Sequence, residues 1–145
     1  MWFSTTDGYL KRFDSRTNTF TSFDVFAHSP ATSSHWIEKI STDGNGSIFI
    51  GTHNQGIKEF TVAAAEYKDV LTYNTDKTCI YVRDILQSSK NEYWFATESG
   101  VFIYNRNTGK FINLKKKYLD PYSLSDSATI LLFSKVFPRP YAKLN

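Results

Sequence analysis

Short runs in which aromatic or β-branched residues alternate with polar ones recur along this chain, each bounded by glycine, asparagine or aspartate. A period of two residues is the pattern of strands that bury one face, and the bounding residues are those that tight turns require. No window carries apolar residues at i, i+3, i+4 and i+7 with caps at both ends, so no helix is predicted.

The runs share a register that appears three times. An aromatic opens a strand at Trp2, Phe49 and Trp94, and three positions later comes Thr5, Thr52 or Thr97, each preceded by a small residue, Ser4, Gly51 or Ala96. A glycine follows at Gly8, Gly56 and Gly100, an aromatic at Phe13, Phe60 and Tyr104, and another at Phe20, Tyr67 and Phe111. The opening positions lie 47 and 45 residues apart, the length of a four-stranded propeller blade rather than of a helical pair.

The second unit is the most complete. It predicts strands at 37–42, 47–52, 57–61 and 67–72, joined by a turn at Asp43, Gly44, Asn45 and Gly46 and by another from His53 to Gly56. The third unit repeats this at 82–86, 92–97, 101–105 and 110–114, while the first has only the last three strands, at 2–6, 9–14 and 19–23. Residues 130–133 align with Ile37 and Val82 as the start of a further unit. The expected fold is therefore all-β: a partial β-propeller of about three four-stranded antiparallel blades. It spans 1–133, with blade remnants at 1–23, 37–72, 80–114 and 130–133 and polar links at 24–36, 73–79 and 118–129. The tail 134–145 carries Pro138 and Pro140 and is expected to be irregular.

Composition sharpens this picture in a few places. The 145 residues, 41% hydrophobic, suit one globular domain, and an aromatic content of 17% with a single methionine favours strands. The net charge of +3 is small, and its densest part, Lys115, Lys116 and Lys117, falls at a strand end. Lysines there discourage stray edge pairing, and no basic face interleaved with aromatics accompanies them, so no nucleic-acid partner is expected. Cys79 is the only cysteine, which excludes an internal disulfide and a cysteine metal cage. It reads as a small buried hydrophobe. No signal-peptide pattern opens the chain and no apolar run reaches membrane-helix length. Met1 runs directly into Trp2, inside the repeat unit.

The chain shows no nucleophile elbow, phosphate loop or zinc deaminase signature, and His28, His35 and His53 lack local metal spacing. No catalytic residue, metal or cofactor is expected. With strands alternating in direction, the approach to a blade's first strand and its second-to-third turn share one face of the propeller. That face would hold His35 and Trp36, Ile80 and Tyr81, the turn His53, Asn54 and Gln55, and also Asp7 and Glu98. Trp36 and Tyr81 take matching positions in successive blades. Flat rings beside amide and carboxylate groups suit an oligosaccharide, and the competing role for both rings is packing between blades. The candidate ligand-binding set is His35, Trp36, Tyr81, His53, Asn54, Gln55 and Glu98.

The segment IEKISTDGNGSIFIGTHNQGIKEF, from Ile37, reads I-x-x-I, then D-x-x-G, a short aromatic strand ending in G-T, and a glycine-led strand ending in an aromatic. Ile37, Ile40, Asp43, Gly46, Phe49, Gly51, Thr52, Gly56 and Phe60 carry the pattern. VRDILQSSKNEYWFATESGVFIYN, from Val82, is a weaker copy with Ser88 and Asn91 at the Asp and Gly positions, and DPYSLSDS, from Asp120, has the form of the connection before a new unit. Together these segments resemble the two-component regulator propeller repeat. The resemblance implies the extracytoplasmic sensor region of a hybrid two-component histidine kinase, of the kind that senses glycans in gut Bacteroidetes. It implies a periplasmic location, an oligosaccharide ligand, and, in full-length relatives, seven-bladed rings followed by a further β domain, a membrane span and a histidine kinase module.

At about 46 residues per blade this chain covers less than half of one ring. Terminal apolar faces then call for further blades or a second copy as partner. Two other readings stand beside sensing. A propeller lyase resembling streptogramin lyases would need a histidine and glutamate pair holding a metal, for which His53 with Glu98 is the candidate. A protein-interaction scaffold of the WD-repeat type is the other, although Trp-Asp and Gly-His pairs are missing.

Overall fold

The protein is described here by a computed structural model covering residues 1–31 and 33–133; the tail expected to be irregular lies outside the described residues. The described residues form eleven strands and no helix: β1 (Trp2–Ser4), β2 (Tyr9–Asp14), β3 (Thr19–Asp24), β4 (Ile37–Thr42), β5 (Ser47–Thr52), β6 (Ile57–Thr61), β7 (Glu66–Leu71), β8 (Val82–Ser89), β9 (Glu92–Thr97), β10 (Gly100–Asn105) and β11 (Lys110–Leu114). They build three antiparallel meanders in chain order, β1-β2-β3, β4-β5-β6-β7 and β8-β9-β10-β11. The fold is the all-β partial propeller that the repeat predicted, with one three-stranded and two four-stranded blades. Residues 130–133 are not a strand, because no described strand pairs with them.

The recurring threonines explain themselves at the second-to-third turn of each blade. Thr52 Oγ1 donates to the Gly56 carbonyl at 2.8 Å and accepts the Gln55 amide at 2.8 Å. Thr97 Oγ1 donates to the Gly100 carbonyl at 2.7 Å and accepts the Ser99 amide at 3.0 Å. Thr5 Oγ1 is tied to both backbone groups of Tyr9. One hydroxyl thus closes each turn from inside, satisfying backbone groups that burial would otherwise leave orphaned. The glycines that follow are equally constrained. Gly56 has φ +67°, and a Cβ there would lie 2.0 Å from the Leu71 carbonyl oxygen; at Gly100, φ +115°, it would lie 2.4 Å from that of Leu114.

The blades stack face to face. Between the first and second, Trp2, Leu10 and Phe23 meet Ile48, Ile50 and Phe60, with Phe23 and Phe60 ring centroids 5.0 Å apart. Between the second and third, fully buried Phe49 inserts against Tyr93 at 4.2 Å, Phe95 at 5.8 Å and Tyr104 at 6.0 Å. β5 approaches β8 so closely that a Cβ on Gly51 would sit 2.5 Å from Val82 Cγ1. Gly51, the small residue before Thr52, is thus where the second and third blades come into close contact. β4 and β8 lie against each other across the blade boundary, so the first strand of each four-stranded blade is its inner one.

An ionic clamp bridges the same boundary. Arg106, in the β10–β11 turn, donates from Nη1 to Asp43 Oδ2 and from Nη2 to Ser47 Oγ and Glu59 Oε1, each at 2.6 Å. Asp43 and Glu59 are both buried. Burial works against the Asp43 charge, yet the amides of Ser47 and Asn45 and the Arg106 guanidinium outweigh it and hold its pKa below the ordinary 3.8. A carboxyl with a depressed folded-state pKa contributes stability that is complete above the unfolded value and is lost as pH falls through the folded one. The destabilisation caused by Asp43→Asn, followed by thermal melts between neutral pH and strong acid, is therefore expected to be constant down to the region of 3.8 and to shrink below it. A gap that already closes above that point would contradict the assignment.

Candidate functional site

One face of the propeller carries the predicted site, because each blade brings the approach to its inner strand against its second-to-third turn. The His53 amide donates to the Trp36 carbonyl at 3.0 Å, and the Glu98 amide to the Tyr81 carbonyl at 3.2 Å. Trp36 and Tyr81 are therefore structural equivalents, as are His53 and Glu98. Trp36 is 47% exposed and stacks on the His53 ring at 5.8 Å, and His53 meets the Tyr81 ring edge-on at 5.4 Å. Three rings from two blades form a continuous band.

Along its inner side runs a row of charges from β4 and β8 that the sequence did not point to. His53 Nδ1 donates to Glu38 Oε1 at 2.9 Å, and Arg83 Nη1 donates to the same oxygen at 3.1 Å. Arg83 also donates from Nε, at 3.2 Å, and from Nη2 to Glu98 Oε1. The Glu98 hydrogen bond is the main influence raising the Arg83 pKa above its ordinary value, with burial opposing it. Inner strands bring residues 45 apart in sequence side by side, and Glu38 and Arg83 each follow the first residue of their strand. The available signal was a charge at that matching position in two blades.

The remaining predicted residues are placed differently. His35 stacks flat on Phe26 at 4.9 Å, and its Nε2 is buried with no hydrogen-bond partner among the described residues. Gln55 holds the link between the first two blades, accepting from Ser29 Oγ at 2.8 Å and donating to the Ser34 carbonyl at 2.6 Å. Asn54 is half-buried, with Oδ1 unpartnered among the described residues. The candidate lyase pair is drawn apart chemically: His53 is bonded to Glu38, Glu98 to Arg83, and the one guanidinium is shared between both carboxylates.

Between the second and third blades lies a cavity of about 460 Å³, lined by Tyr73, Asn74, Asp76, Ser99, Phe111 and Asn113 among others. Asn74 Nδ2 reaches Ser99 Oγ at 2.9 Å and Thr78 Oγ1 at 3.0 Å, fixing the link that forms one wall. The volume lies in the range of small-molecule sites, and the lining combines exposed aromatic surface with amide and hydroxyl groups.

No known protein-family profile matches the chain, and no curated protein does. Solved structures do. Two of them are of the extracellular domain of BT4673 from B. thetaiotaomicron. One, described as part of a hybrid two component system, has TM-score 0.70 and 15% identity over 88% of this chain. The other, described as part of a one component system, has TM-score 0.64 and 20% identity over 79% of it. The chain shares the fold of these extracellular domains. It spans only 16% and 15% of their respective lengths. The computationally designed Ika4 protein is also similar, with TM-score 0.59 and 13% identity over 92% of this chain and 73% of that one.

Proposed function

We propose that this chain is a non-enzymatic, ligand-sensing portion of the extracytoplasmic, periplasmic sensor region of a hybrid two-component system, and that it takes an oligosaccharide on the Trp36–His53–Tyr81 face. The observation that carries the reading is the ring band itself. Trp36 keeps nearly half its surface in solvent while Glu38, Arg83 and Glu98 fix a polar border beside it. Apolar sugar faces stack on such rings, and neighbouring hydroxyls find donors and acceptors already oriented by one another. The cavity between the second and third blades, which Ser99 lines one residue on from Glu98, offers room for a further sugar ring. The fold shared with extracellular domains of signalling proteins supports the location and the class of role. In a full-length protein the ligand would act by favouring one arrangement of sensor and histidine kinase module over another, by the difference in its affinity for the two.

Binding to a glycan array, followed by calorimetry on the best ligand, tests this. Trp36→Ala and Tyr81→Ala are each expected to weaken binding about tenfold, the equivalent of roughly 1.4 kcal/mol, with Trp36→Ala leaving the melting temperature unchanged because the ring is half exposed. Unchanged affinity in both variants removes the band from the site, and a wild-type chain that binds no glycan rejects the ligand class.

A further inference from the structure

The two ends of the blade array present complementary halves of an interface that the molecule already makes internally. On the third blade, Trp94, Ala96, Val101, Ile103, Ile112 and Leu114 point away from the second blade, since their strand neighbours Tyr93, Phe95 and Tyr104 point toward it. Within that outer face Ile112 is 61% and Leu114 40% exposed. By ladder register Trp94 is the counterpart of Phe49, and Ala96 of Gly51, the residues the second blade uses to receive the third.

The opposite end carries the matching half. Phe3, Phe13 and Phe20 gather on the side of the first blade turned away from the second, with Phe20 5.0 Å from Phe13 and 6.0 Å from Phe3 and 60% exposed. Their ladder positions are those of Phe95, Tyr104 and Phe111 in the third blade, the first two of which pack on Phe49. The edge of β1 away from β2 is also unpaired among the described residues.

A segment shaped to pair along that edge leaves the third blade. The Thr129 amide donates to the Thr97 carbonyl at 2.8 Å and the Leu132 amide to Asp84 Oδ2 at 3.0 Å, while Asp84 Oδ1 pairs with Lys39 at 3.0 Å. Lys39, Asp84 and Leu132 each stand two residues after Ile37, Val82 and Ile130, so consecutive inner positions touch one another. Residues 129–133 thus follow the course of the next inner strand, yet no described strand pairs with them and Ile130, Leu131 and Phe133 are 75%, 72% and 84% exposed.

We infer that, for this chain on its own in solution, the occupant of both ends is a second copy. The third blade of each copy packs on the first blade of the other, and residues 129–133 of each supply the inner strand to the partner's β1. Two copies close a ring of six blades, within the four to eight that propellers use, through two identical head-to-tail contacts that leave no free edge.

Light scattering on the full chain at several concentrations tests the inference, with twice the chain mass expected. Phe20→Lys and Ile112→Lys, both at exposed positions, are each expected to give the monomer mass while keeping the far-ultraviolet circular dichroism of a folded β protein, less only the contribution of the strand at 129–133. Mixing the two variants is expected to restore the dimer, because one of its two contacts then joins an intact face to an intact face. A monomer at every concentration, a larger closed ring or an open filament in the wild type overturns the inference. So does a mixture that stays monomeric, or an Ile112→Lys variant that still dimerises fully alone, the mark of a contact made between two first blades.

Discussion

Arg106→Ala is expected to cost about 3–5 kcal/mol, the range for removing one partner of a buried ion pair, and to lower the melting temperature by roughly 10 °C or more for a domain of this size. The reason is geometric. A single guanidinium satisfies Asp43, Ser47 and Glu59 at once, and both carboxylates are buried, so its removal leaves Asp43 without a cationic partner among the described residues and Glu59 with only Lys68, 3.0 Å from its other oxygen. Arg106→Lys is expected to recover only part of the loss, since an ammonium is a point charge that cannot span three acceptors as the planar fork does. Chemical denaturation checks both values. A loss below about 1 kcal/mol, the range of a solvated surface pair, would show that water replaces the clamp.

Phe49→Ala is expected to destabilise by a similar amount, about 3–5 kcal/mol for truncating a buried phenylalanine. Its ring is the knob that the third blade encloses, with Tyr93, Phe95 and Tyr104 around it. Collapse of those rings into the space is resisted by their own strands, which are pinned by the β8-β9-β10-β11 ladder. Tyr122→Ala, at a residue 97% exposed, is the control and is expected to stay within about 0.5 kcal/mol of wild type. If Phe49→Ala fell in that range too, the second and third blades would not be packed as one core.

Much of the fold was legible because its signals are local. The alternation of apolar and polar residues set the strands, and turn chemistry at Asp43–Gly46 and Thr52–Gly56 set their boundaries. β1 nevertheless ends at Ser4 rather than Thr6, because Thr5 is drawn into the turn by its hydroxyl. β8 runs on to Ser89, accommodated by register shifts against β9. Lys58 reads as an outward polar residue but is 2% exposed, bonded to Asp69 at 2.6 Å and held over the rings of Phe26 and Tyr67. Its aliphatic stem packs like a hydrophobe while its head finds a carboxylate. Nothing within a few residues of Lys58 announces this, because Phe26 belongs to the link from the preceding blade.

The candidate site divides the same way. Trp36 and Tyr81 were legible as matching positions, since the repeat alone equates them. His35 and Gln55 share that stretch of chain, yet tertiary contacts turn them to structural work.

The order of residues by itself determined that this protein is a series of antiparallel meanders of one length, because strand period, turn residues and repeat register each act over a few neighbours. Only the tertiary structure decided which faces meet, which charges are buried in the Arg106 clamp, and which rings remain open on the Trp36–His53–Tyr81 face. Those outcomes depend on groups up to 63 residues apart coming together, and the free energy of a charge or a ring is set by what surrounds it in space, not by its neighbours along the chain.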